Sequence, residues 1–174
     1  TCALPILFIV SGAPNTGKST TVYHLCTYLL NLGYVKTDIP YNGKRYSTST
    51  SFPPILANDF SCLLEKEGKK VLIHTATDDV FNIDALVNSI NNHKPSIVIT
   101  TCRDFGDWPR DYFCSQLKLV NSFILASTSD IDIEEFPLSR ITRRTTRFAT
   151  AYEWYFINST HQIEKILSLP PYSI

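Results

Sequence analysis

The chain has 174 residues, 44% hydrophobic, 12% aromatic and 18% charged, which fits a single soluble globular domain over 1–174 that forms its core without a disulfide or metal staple. Sixteen basic residues balance sixteen acidic ones, which speaks against a general nucleic-acid coat or a membrane-surface protein. No apolar run of about 18 residues occurs, and the apolar stretch 4–10 lacks the flanks of a signal peptide, so a cytoplasmic protein with no membrane segment is expected.

Residues 4–11 (LPILFIVS) are apolar at nearly every position, the pattern of a strand buried on both faces of a parallel sheet. A helix is predicted over 18–32, where Val22, Leu25, Cys26, Leu29 and Leu32 fall at helical spacing and Gly33 closes the segment. Residues 34–54 show no period and carry a Ser/Thr tract over 47–51, a long connection of the kind that is functional or disordered. A hairpin follows, its strands 55–65 and 70–76 flanking the Gly-containing turn 66–69. A helix over 82–92, a buried strand over 96–102 and a helix over 109–119 come next. A last strand is read at 121–127, then a long helix over 137–157 and a shorter one over 159–169, with Ser159 and Gln162 spaced as a capping box. Strands alternating with helices predict an α/β fold of three layers, a mainly parallel sheet with an antiparallel edge hairpin. The five cysteines, Cys2, Cys26, Cys62, Cys102 and Cys114, are widely spaced and contain no C-x-x-C, so they read as reduced core thiols.

Between the first strand and the first helix lies Gly12-Ala13-Pro14-Asn15-Thr16-Gly17-Lys18-Ser19, a complete G-x-x-x-x-G-K-[ST] sequence followed by Thr20. Gly12 lets the chain turn out of the strand. The backbone N–H groups from Asn15 to Ser19 can converge on phosphate oxygens, and Gly17 permits the left-handed conformation such a nest needs. Lys18, read as surface-facing, reaches the β- and γ-phosphates, Ser19 ligates Mg²⁺, and the helix adds its positive end. On these residues the sequence resembles the P-loop NTPase superfamily, and the resemblance implies that fold together with binding of Mg²⁺ and a nucleoside triphosphate.

An acid at the end of a buried strand is the next element such chemistry needs. Asp78 and Asp104 both follow apolar strands by several residues, where ligands of open α/β sheets bind. Asp78 is favoured for the magnesium shell, and the alternative is that each acid caps the next helix. The hairpin is reminiscent of small GTPases, but His74 and Thr77 replace the Asp and Gly of D-x-x-G, and N-K-x-D is missing. ATP is therefore expected over GTP. Residues 69–73, Asp78-Asp79 and Cys102-Arg103 are similar to a group of small bacterial ATPases or kinases of unassigned role.

Arg140, Arg143, Arg144 and Arg147 are three and four apart, one stripe of the helix read over 137–157. In nucleotide kinases such a helix closes over the phosphates, with Arg143 and Arg144 central. The alternatives are a solvated basic face balanced by Glu134, Glu135 and Glu153, or a contact with nucleic acid, which is not favoured. His74 reads as a hydrogen-bonded core histidine ahead of a catalytic base. These residues predict a Mg²⁺-dependent ATPase with Lys18, Asp78, Arg143 and Arg144 in catalysis. The alternatives are a kinase acting on a small metabolite or nucleic-acid end, and a nucleotide-gated module that binds a protein partner with little turnover.

Overall fold

The computed structural model describes residues 5–14, 16–40, 59–104, 106–119, 133–138 and 149–174, with the backbone alone for 133 and 149–157. In chain order these form β1 (Ile6–Ser11), α1 (Lys18–Asn31), β2 (Val35–Asp38), β3 (Ser61–Lys66), β4 (Lys69–His74), α2 (Val80–His93), β5 (Ile97–Cys102), α3 (Arg110–Gln116), β6 (Ile133–Pro137) and α4 (Ala149–Ser168). The six described strands make one sheet in the order β2-β3-β4-β5-β1-β6. β4, β5, β1 and β6 are mutually parallel, while β3 is antiparallel to both β4 and β2. β3 alone is therefore reversed, and β2 runs with the others.

Alternation along the buried strands divides the interior into two cores, because successive side chains of a strand face opposite sides. Phe8 and Val10 of β1 join Val22, Leu25 and Leu29 of α1 and Ile163 and Leu167 of α4 on one face. Leu7 and Ile9 join Ile83 and Leu86 of α2 and Phe113 of α3 on the other. Burying each such side chain contributes about 1.5–3 kcal/mol. Tyr172 seals the first core, its ring edge-on to Phe8 at 5.7 Å.

The strand 4–11, the hairpin and the first three helices fall where periodicity places them. Gly33, with φ 89°, ends α1 as expected. Three expectations are corrected. The connection 34–54 holds β2, which pairs with β3 and so takes the edge of the described sheet in place of the expected edge hairpin; its alternating exposure leaves no apolar run to read. Residue 137 closes a strand: β6 pairs with β1 from Leu7↔Ile133 to Ser11↔Pro137, and proline is tolerated there as the end residue of a strand at the edge of the described sheet. The helix read from 159 begins far earlier, since α4 runs unbroken over Ala149–Ser168. Ser159 is thus a buried mid-helix residue, not a cap. The strand read at 121–127, the Ser/Thr tract and the arginine stripe lie outside the described residues.

Candidate functional site

β1 lies between β5 and β6. The chain leaves β1 through α1 on one face and leaves β5 through α3 on the other. Such a reversal opens a crevice at the carboxyl ends of the strands, where ligands of open α/β sheets bind. The loop from Gly12 to Ser19 fills that position. Gly12 is anchored by its N–H to the Cys102 carbonyl at 3.2 Å. A Cβ on Gly12 would lie 2.6 Å from the Thr16 hydroxyl oxygen, so the loop closes only around glycine. Gly17 takes the left-handed conformation at φ 90°, ψ 19°, immediately before α1, which glycine adopts without the Cβ penalty.

Among the described residues the start of α1 receives no side-chain cap, and its first turn has no acid. α2 differs: Asp79 accepts from the Asn82 N–H at 2.9 Å and from its side-chain amide. The positive end of α1 is therefore left to face the loop. Lys18 corrects the sequence reading of a surface-facing side chain. It is only 8% exposed, and its Nζ donates to the carbonyls of Gly12 at 3.0 Å and Ala13 at 2.9 Å. The loop curls back, so two acceptors sit within reach of the lysine stem. Burial pulls the ammonium below its ordinary range and the nearby Arg103 charge adds to this, while Asp78 and Asp104 act oppositely. Ala13 and Thr16 are buried, Pro14 is exposed and Thr20 half-buried. Thr16 donates to the Ala13 carbonyl at 2.9 Å. Asn15 lies outside the described residues.

Ser19 brings in a residue that sequence reasoning missed. Its hydroxyl donates to Asp59 Oδ1 at 2.7 Å, and the Thr75 hydroxyl reaches the same oxygen at 3.2 Å. Thr75 is itself fixed by the Phe60 N–H, which donates to its Oγ1 at 2.8 Å. Burial raises the Asp59 carboxyl above the usual range; the Ser19 and Thr75 bonds oppose that, and the Asp78 charge reinforces it. The signal was the position of Asp59 two residues before a strand that must run backwards in a hairpin. The beginning of a reversed strand lies at the rim where its parallel neighbours end.

Asp78 is half-exposed at the same rim and accepts from Arg103 Nε at 2.7 Å. Of the two acids expected there, neither is seen against Ser19. Asp104 is half-buried and its carbonyl accepts from the Asp107 N–H. His74 is the core histidine the sequence suggested: Nδ1 meets Ser61 Oγ at 3.1 Å, and Nε2 meets the Ala76 and Asn82 carbonyls. Burial lowers its pKa to about 4. Glu135 grips the buried Arg110 by two bonds of 2.8 and 2.9 Å. Arg140, Arg143, Arg144 and Arg147 lie outside the described residues. Cys26, Cys62, Cys102 and Cys114 are free and buried.

A glycine-bounded loop, an uncapped helix start and a buried ammonium form a site suited to an oxyanion. Among the described residues no group of three or more His, Cys, Asp or Glu can hold a metal, and no helix is long and apolar enough to cross a membrane. No protein-family model, curated protein or solved structure matches the chain.

Proposed function

We propose that the protein is a Mg²⁺-dependent, ATP-binding P-loop NTPase that hydrolyses ATP. The reading is carried by one observation: the buried Lys18 amine lies on the carbonyls of the loop that ends in Gly17 and the uncapped start of α1. The backbone of that loop suits the α- and β-phosphates, and the lysine suits the β- and γ-phosphates. The absence of N-K-x-D favours adenine over guanine.

The donor set at Ser19 fits magnesium. One hydroxyl beside one carboxylate, 2.7 Å apart, is what Mg²⁺ takes from a protein when phosphate oxygens and waters complete its octahedron. Ser19 would hold the ion, with Asp59 accepting from its shell; Asp78 is the alternative acid. When bound, the ion neutralises charge on the phosphate oxygens. The chain's own part is to grip the phosphates through the loop and Lys18, and to orient Ser19 through Asp59 and Thr75.

The test is a turnover assay with Mg²⁺ and ATP, with and without a panel of small-metabolite and nucleic-acid-end acceptors, reporting free and transferred phosphate separately. Free phosphate without acceptor supports the ATPase. Transfer to an acceptor in its place makes the protein a kinase, and tight binding with neither product makes it a nucleotide-gated module.

A further inference from the structure

We infer that Arg103 meets the outermost phosphate of the bound nucleotide and makes the site select a triphosphate over a diphosphate, with Asp78 as the residue that positions it. The inference rests on the nucleotide reading above. It starts from where the sheet puts Arg103. Cys102, the last residue of β5, stands in register with Ser11, the last of β1, and its carbonyl accepts from the Gly12 N–H. Arg103 therefore leaves the sheet beside Gly12, whose carbonyl holds the Lys18 ammonium.

Its backbone is fixed independently. The Arg103 carbonyl accepts from Arg110 Nη1 at 2.8 Å, and Arg110 is locked to Glu135. Its side chain, 17% exposed, is held through Nε alone, on Asp78 Oδ1. Neither terminal nitrogen has a hydrogen-bond partner among the described residues. A guanidinium carries five N–H donors, so four have no partner among the described residues, in a planar fork that matches phosphate oxygens. A fork whose inner nitrogen is tethered keeps its outer nitrogens aimed, which is the pre-organisation a binding residue needs.

The electrostatics point the same way. Arg103 and Lys18 are neighbouring cations: burial lowers the lysine pKa first, and the repulsion between the two charges adds to it. A terminal phosphate between them would relieve that repulsion. The loop backbone serves the inner phosphates and Lys18 the β- and γ-phosphates, so a cation beside Gly12 contributes most to the phosphate that ADP lacks. This gives Asp78 a different task from a metal shell, since its Oδ1 is already engaged by the arginine.

Calorimetric titration of the full chain with ATP and with ADP, both with Mg²⁺, tests the inference in the parent, Arg103→Ala, Arg103→Lys and Asp78→Asn. The parent is expected to prefer ATP about tenfold or more. Arg103→Ala should lose that preference through weaker ATP binding while its ADP affinity stays within about twofold, which also shows that the loop is intact. Arg103→Lys should fail to restore it, because a single ammonium cannot both engage Asp78 and fork onto a phosphate. Asp78→Asn should reduce the preference in the same direction, and a double variant carrying Arg103→Ala and Asp78→Asn should match Arg103→Ala alone. An unchanged ATP/ADP ratio in Arg103→Ala overturns the inference while leaving nucleotide binding standing. A parent that binds neither nucleotide overturns both.

Discussion

Replacing Gly12 with alanine places a methyl carbon 2.6 Å from Thr16 Oγ1 and 3.2 Å from the Leu138 carbonyl oxygen. The first distance is closer than real carbons approach, so the Thr16 hydroxyl must leave and its 2.9 Å bond to the Ala13 carbonyl breaks. Overpacking of this kind costs about 1–3 kcal/mol. Thr16→Ala alone removes the same bond without the clash. The Ala13 carbonyl keeps the Lys18 amine at 2.9 Å, so that loss is about 0.5–1.5 kcal/mol. In the double variant nothing lies at 2.6 Å; the Leu138 carbonyl has to yield by a few tenths of an ångström, and the cost of alanine at φ 158° is common to Gly12→Ala and the double variant and cancels in the comparison. The double variant should therefore be more stable than the sum of the singles by about 1 kcal/mol. Urea unfolding of the four proteins measures this coupling directly. Costs that add to within about 0.5 kcal/mol would refute the claim that Thr16 is what closes the loop on Gly12.

His74 is held neutral in the fold. Its pKa is about 4 there against about 6.5 when unfolded, so the unfolded chain binds the proton first and stability falls as pH drops from 6.5 towards 4. The loss is about 3 kcal/mol over that window; unfolding of the parent and His74→Gln at pH 7 and pH 4 should show it in the parent alone, and a ring titrating near 6.5 by NMR contradicts it. Glu135→Gln leaves the buried Arg110 guanidinium without its counter-charge and should cost about 3–5 kcal/mol in thermal unfolding, whereas a loss below about 1 kcal/mol would show that solvent reaches the pair. Asp59→Asn should raise the Mg²⁺ concentration needed for nucleotide binding by about tenfold or more, and Asp78→Asn by less than about threefold. The reverse order would return the magnesium shell to Asp78.

How much the sequence disclosed depended on whether a residue's environment was local. The run 6–11 and the helical spacing of Val22, Leu25 and Leu29 report burial directly, so β1 and α1 stand where they were read. The loop between them was legible as a motif, yet the fate of Lys18 was not: its burial depends on the curl of the loop carbonyls, which periodicity does not encode. β2 was lost because an edge strand with alternating exposure looks like a polar connection. β6 was lost for a related reason. Its short run Ile133–Pro137 carries two glutamates, and one of them is paired with Arg110, which lies 25 residues away in the chain.

The acids show the same limit at the candidate site. Asp78 and Asp104 were visible because an acid after an apolar strand is a one-dimensional signal. Asp59 needed the start of β3 at Ser61 as well as its direction: the hairpin reading implies the reversal but places Asp59 inside the strand read over 55–65. Once β3 is known to be reversed, its first residues must lie at the rim occupied by Ser19, and the 2.7 Å contact follows. Arg103 is likewise part of a short resemblance, but its tether to Asp78 is a fact of three dimensions.

The central claim is that the loop at Gly12–Ser19 binds the phosphates of a nucleotide through Lys18. Isothermal titration of the parent and Lys18→Ala with a non-hydrolysable ATP analogue and Mg²⁺ tests it most directly. The account predicts saturable binding by the parent and an affinity at least about tenfold weaker, 1.4 kcal/mol or more, in a variant that unfolds at a similar denaturant concentration. Equal binding by the two proteins, or none by the parent, would contradict it.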